Sequence, residues 1–469
     1  MKFEDYRSHD AVGLASLVAK CEVSAAELLE TAVARMGQVN PALNAVTLDL
    51  ADWGRKEAAK PPSGPLAGVP FLLKDLGATL AGTVTSSGSA LLKDNVAAAD
   101  SALTTAYRQA GLVIFGKTNT PEYGLMPITE STFLGPCRNP WDVSRTPGGS
   151  SGGAASAVAA GIVPAAHASD GGGSIRTPAS ACGLFGLKPS RGRVSFSPLG
   201  EGWGGASIQH AVTRSVRDSA VLLDIACRPQ PGDPYYLDAP ATPYAQEVGR
   251  APGKLRIGFT TAALASDALD PECVQAVLDA ARLCESLGHT VEEVTVPGNL
   301  AAMQQGAGDV IAAGVAATFE AEAERRGRPV SEDEVEMLTW GMYRRGTGVS
   351  GATYVRGLAA IHAYGRAVAG LFSTYDVLLL STLGSPAIPI GHLTEDLRAF
   401  TERLFKFMPN TQAFNNTGQP AMTVPLAWSA GGLPIGLQFV GRMADEATLF
   451  RLAGQLETAK PWFDRVAPI

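Results

Sequence analysis

No stretch of this 469-residue chain approaches 18 uninterrupted apolar residues, so an ordinary membrane-spanning helix is not expected and no membrane partner follows. Cationic surplus is lacking as well. The 38 Lys and Arg stand against 45 Asp and Glu, a formal charge of −7, which leaves nothing to neutralise phosphates and argues against nucleic acid as a partner. Cysteines are few: Cys21, Cys137, Cys182, Cys227, Cys273 and Cys284 form no Cys-x-x-Cys pair, and Met1 to Asp5 has no apolar signal core. Both features lead us to expect a reducing, cytoplasmic setting. The six histidines, His9, His167, His210, His289, His362 and His392, include no ligand-spaced pair, so no metal is expected. Charged residues make up only 18% against 46% hydrophobic ones, which excludes a disordered chain.

Glycine (52) and proline (31) are abundant, as in a globular enzyme with many tight turns. Ser24-Ala25-Ala26-Glu27 reads as a capping box opening a helix through Met36 that Pro41 closes. Short apolar runs (Phe71 to Leu73, Leu112 to Phe115, Val163 to Ala168, Leu255 to Phe259) alternate with helical segments such as Ser101 to Ala110, Ala154 to Ala160 and one opening at Thr213. Such alternation predicts an α/β layered fold. Residues 298–375 read as mostly helical, and Val377 to Leu380 and Ile435 to Val440 as buried strands.

Two serines stand in glycine runs 24 residues apart: Ser150 in Gly148-Gly149-Ser150-Ser151-Gly152-Gly153, and Ser174 after Asp170-Gly171-Gly172-Gly173. Glycine lets the backbone turn sharply and bring its N–H groups close to a ligand, the setting an acyl-transfer nucleophile beside an oxyanion hole needs. Together with Leu72-Leu73-Lys74-Asp75-Leu76, Gly116 to Glu122, Ile175-Arg176, Gly186-Leu187-Lys188-Pro189 and Asn416 to Ala421, these runs resemble the signature of the amidase signature family. The matches keep their order over most of the chain. Asn139-Pro140-Trp141, Ser215 to Asp218, Leu269 to Cys273 and Glu332 to Glu336 are similar to the branch that contains hydrolases of 6-aminohexanoate cyclic dimers, aryl acylamidases and urethanases.

The resemblance implies one amidase signature domain over 1–469: a large mixed, mostly parallel twisted β-sheet sandwiched by many α-helices. Within it would lie N-terminal helices (1–60), a signature core (61–230) and a helical insertion or lid (298–375). It implies a nucleophile, Ser174, whose proton passes through Ser150, after a cis peptide, to Lys74. A free lysine titrates near pH 10.4, so the base must be neutralised by burial, for which Phe71, Leu72, Leu73 and Leu76 supply an apolar setting. Backbone N–H groups of Gly171, Gly172, Gly173 and Ser174 would form the oxyanion hole. Ser151 would support the relay, and Asp170 and Arg176 would pair to hold the loop. Gly124, Leu125 and Met126 would line the substrate pocket. No cofactor is implied. The expected activity is hydrolysis of small linear, cyclic or aryl amides, extending to carbamates and esters, with a homodimer as the expected assembly. The alternative within the family is the glutamine-hydrolysing subunit of a tRNA amidotransferase complex.

Three decoys are weaker. His167 suggests a Ser-His-Asp set, but Gly172-Gly173-Ser174-Ile175-Arg176 has Arg where a nucleophile elbow needs Gly, so His167 reads as a buried strand residue. Gly111 to Thr118 spells a phosphate loop, yet its middle, Leu112 to Phe115, is itself a strand, with Lys117 and Thr118 expected to begin the next turn. Asn415-Asn416-Thr417 fits a glycosylation acceptor, which carries no weight without a secretion signal.

Overall fold

The computed structural model describes residues 1–469. Its strands are β1 (Val46–Asp49), β2 (Pro70–Lys74), β3 (Val113–Thr118), β4 (Glu130–Ser131), β5 (Gly135–Pro136), β6 (Ala165–Asp170) and β7 (Phe185–Lys188). They continue with β8 (Ile208–Thr213), β9 (Arg256–Phe259), β10 (Thr290–Glu293), β11 (Val377–Ser381), β12 (Ala421–Trp428) and β13 (Pro434–Gly441). β4 and β5 pair with each other. The other eleven form one sheet in the order β1-β3-β2-β6-β8-β7-β12-β13-β11-β9-β10, flanked by helices.

The expected mixed sheet is present, with a smaller parallel share than anticipated: of its ten pairings, β2 with β3 and β6, and β9 with β10 and β11, are parallel, while six are antiparallel. The reason lies in the returns. β12 and β13 join through a short turn as a hairpin, which no parallel pair can do, and β8 runs back between β6 and β7.

Local sequence explains the helices that frame the site. Ser24 and Glu27 form the reciprocal capping box of Ala25–Leu43, which runs two residues past Pro41 before Asn44 turns left-handed. Ser101 caps Ala102–Gln109, and Ser215 caps Val216–Ala226. Thr213 therefore belongs to β8 rather than to that helix. Lys117 and Thr118 likewise extend β3 instead of starting a turn, because the Lys117 ammonium finds internal acceptors in the Val84 carbonyl and, at 2.5 Å, Thr85 Oγ1.

β2 is buried along its whole length, as befits a strand covered on both faces, and so is β3. Three helices, Leu300–Arg326, Met337–Thr347 and Gly351–Leu371, fill the segment expected to be helical. Met303, Ile361 and Tyr364 pack on Leu378 and Leu380 of β11, on Phe414 and on Val440 of β13. Each such fully buried apolar side chain is worth about 1.5–3 kcal/mol, so the segment is firmly seated on the sheet.

Candidate active site

The parallel neighbours β2 and β6 end side by side, and their carboxyl ends carry Lys74 and Asp170. Ligand sites of α/β sheets form at such ends. Lys74 is fully buried; its Nζ lies 2.6 Å from Ser150 Oγ and 3.0 Å from Ser169 Oγ. Burial pushes its pKa down to about 7, against the attraction of Asp170. Ser150 follows a cis peptide from Gly149 and is itself buried.

Ser151 stands at the N-terminal end of the helix Gly152–Ala159 without capping it through its side chain. Its Oγ donates to the Ser169 carbonyl at 3.1 Å, and its backbone N–H donates to the Ser174 carbonyl at 3.2 Å. These bonds tie the first glycine run to the second. Ser174 stands half-buried just before the helix Arg176–Cys182, facing a cavity of about 450 Å³ that Gly124, Leu125, Met126, Gly171 and Gly172 also line.

Asp170 and Arg176 form a fully buried pair, with Arg176 Nε and Nη2 each 3.0 Å from a carboxylate oxygen. Burial alone would raise the Asp170 carboxyl, but Arg176 and a hydrogen bond from Asn415 hold it well below the usual carboxylate range. Arg176 also donates to the Thr411 carbonyl and to Gln438 Oε1, at 2.9 and 2.6 Å. The Asp170 carboxylate in turn accepts N–H bonds from Gly173 at 2.6 Å and Ile175 at 3.1 Å. Here the structure departs from the sequence reading: the Gly173 N–H is already taken by Asp170, whereas those of Gly171, Gly172 and Ser174 have no acceptor within the chain.

Sequence reasoning missed several contributors. Ser169 has no role in the sequence reading; its place directly before the Asp170 to Gly173 run was the available signal. Thr411, Asn415 and Gln438 come from distant segments. Trp203 had no signal at all: in a left-handed conformation among glycines, it lays its indole on residue 171, where an added Cβ would lie 2.5 Å from the ring. Glycine at 171 is what admits it. Phe405 lines the cavity, whereas Phe414 is buried in the core.

A family model described as Amidase matches residues 27–450. The chain belongs to the amidase family. Among its relatives is the 6-aminohexanoate-cyclic-dimer hydrolase of Paenarthrobacter ureafaciens, 39% identical over 97% of this chain and 96% of that one. The solved structure of 6-aminohexanoate cyclic dimer hydrolase complexed with substrate superposes with a TM-score of 0.93 at 38% identity, covering 98% of both chains. A bacterial aryl acylamidase of the amidase signature enzymes follows the same fold with a TM-score of 0.89 at 28% identity, over 98% of this chain and 99% of that one. This amidase-family fold therefore covers nearly the whole chain, including the helical segment that walls the cavity.

Proposed function

We propose that this amidase hydrolyses C–N bonds of small linear, cyclic or aryl amides through an acyl-enzyme on Ser174, with Ser150 and Lys74 as the proton relay. The observation that carries the reading is a buried amine, titrating near 7, held 2.6 Å from the hydroxyl of Ser150, which lies buried behind Gly124, itself a wall of the cavity that Ser174 faces. A neutral Lys74 turns its lone pair to the Ser150 hydroxyl and donates an N–H to Ser169. Ser150 passes its own proton to Lys74 Nζ, leaving an ammonium, as it accepts the Ser174 proton and Ser174 Oγ attacks the substrate carbonyl. The carbonyl π electrons move to oxygen, and the N–H groups of Gly171, Gly172 and Ser174 receive that oxyanion, each worth about 3 kcal/mol in the transition state. Collapse breaks the C–N bond, the relay returns the proton to the departing amine, and water removes the acyl group by the reverse route.

A carbamate adds a second heteroatom on the same carbonyl and an ester changes only the leaving atom, so both are expected as further substrates of this machinery. All six cysteines are free thiols, four of them buried, which supports a reducing setting for the enzyme. Intact mass after incubation with a fluorophosphonate, comparing the unmodified chain with Ser174→Ala, tests the assignment. One adduct on the former alone is expected. An adduct that persists in Ser174→Ala would move the nucleophile elsewhere.

A further inference from the structure

The cavity walls are mainly apolar, with Met126, Ile311, Leu338 and Phe405 among them, and Arg345 is the one charged side chain that interrupts them. Arg345 lies in the helix Met337–Thr347, and its guanidinium rests against the facing helix Leu300–Arg326 at Gly308, where an added Cβ would stand 2.9 and 3.0 Å from its terminal nitrogens. The seat exists because residue 308 has no side chain. Asp309, largely buried, accepts from Arg345 Nη2 at 2.7 Å, and Gln305 Nε2 donates to both oxygens of the same carboxylate at 3.2 and 3.1 Å. Arg345 is thereby held in place before any ligand arrives, which lowers the ordering cost of a bond to it.

Only one guanidinium N–H is engaged within the chain, and the side chain remains 42% exposed. Its charge is balanced by Asp309, and no second cation lines the cavity. A ligand carboxylate would leave water to meet an already neutralised arginine beside an anion, so its desolvation would go uncompensated. A neutral carbonyl oxygen has a much smaller desolvation cost and still gains a charge-assisted hydrogen bond.

We propose that Arg345 is a specificity-determining residue that donates to a second, neutral carbonyl of the substrate. The preferred substrates are then bifunctional amides or carbamates whose two carbonyl groups are joined by an apolar chain. This rests on the amide-hydrolysis reading for its choice of ligand, but its test does not depend on turnover.

The test uses calorimetric titration of the Ser174→Ala protein with hexamethylene bisacetamide, with N-nonylacetamide, in which methylenes replace the second amide, and with N-acetyl-6-aminohexanoate, which ends in a carboxylate. Adding Arg345→Met should weaken bisacetamide binding by about tenfold to a hundredfold while N-nonylacetamide changes less than about threefold. Gly308→Ala, which pushes the guanidinium off its seat and keeps the fold, should weaken the bisacetamide alone by a smaller factor. Equal losses on both ligands, no loss on either, no binding of the bisacetamide before Arg345 is changed, or an Arg345-dependent preference for the carboxylate would each overturn the proposal. Failure of fluorophosphonate labelling at Ser174 would overturn the catalytic reading instead and leave these binding ratios standing.

Discussion

His167 Nδ1 accepts the backbone N–H of Lys74 at 3.2 Å, while its Nε2 stands 3.1 Å from the side-chain oxygen of Gln209. The two contacts suit the neutral tautomer with its proton on Nε2. Burial, with the nearby Lys74 charge, holds the His167 pKa down to about 3, so the ring stays uncharged over the working range and fastens the end of β2.

Replacing His167 by Asn should therefore act on stability more than on chemistry. An unpaired Lys74 N–H in the core costs about 1–3 kcal/mol, read as a lower urea midpoint, while kcat stays within about tenfold. A loss of a thousandfold or more at unchanged stability would make His167 the base.

The base must be neutral to accept a proton, so kcat/KM should rise about tenfold per pH unit up to a plateau above Lys74's pKa of about 7. Lys74→Met should remove that limb and lower the plateau by roughly 10²- to 10⁴-fold. Lys188 is a useful control. Burial, with the repulsion of Arg176, also brings it to about 7, but its Nζ donates to the Pro189 carbonyl at 2.7 Å rather than to a serine. Lys188→Met should leave the limb in place; its disappearance there would reassign the titration.

The Asp170 and Arg176 pair predicts a stability effect with a definite pH sign. Its depressed carboxyl contributes stability above the ordinary aspartate pKa of about 3.9, and that contribution is lost as pH falls through the lower folded value. Arg176→Met, which leaves a buried carboxylate uncompensated, should cost about 3–5 kcal/mol at pH 7 by denaturant titration. The cost should shrink below about pH 4. A variant as stable as the parent at neutral pH would contradict the buried pairing.

Gly124 has a left-handed φ of +67°, and a Cβ there would stand 2.6 Å from Leu76 Cδ2 and 3.2 Å from Ser150 Oγ. Gly124→Ala should displace the relay serine and lower kcat by about a hundredfold, since misplacements near 1 Å carry such penalties. Fluorophosphonate labelling rates would read the same loss without a substrate. Unchanged labelling would mean that Ser150 does not sit on the reaction path.

Much of the fold and the centre of the site was legible in the sequence. The Ser24 and Glu27 box, the helix starting at Ser101, and the apolar runs of β2, β3 and β6 act over a few residues, so their spacing was enough to place them, whereas the helix read from Thr213 starts two residues later at its Ser215 cap because β8 claims Thr213. Strand balance was harder, because whether β8 or the β12 and β13 hairpin runs parallel or antiparallel depends on which distant strand each meets. Weakly patterned strands such as β1 and β10 were missed for a related reason, their short lengths being stabilised by neighbours rather than by their own periodicity.

The sequence by itself determined which backbones could turn sharply around Ser150 and Ser174, where the capped helices begin, and which lysine has apolar flanks, since all of these follow from local residue type. Tertiary structure alone decided the rest. It set how far burial lowers Lys74, because desolvation depends on every segment packed around the amine. It gave the Gly173 N–H to Asp170, drew Thr411, Asn415 and Gln438 to Arg176, laid Trp203 on Gly171, and seated Arg345 over Gly308, because hydrogen bonds and close contacts between segments up to 262 residues apart exist only once the chain has folded.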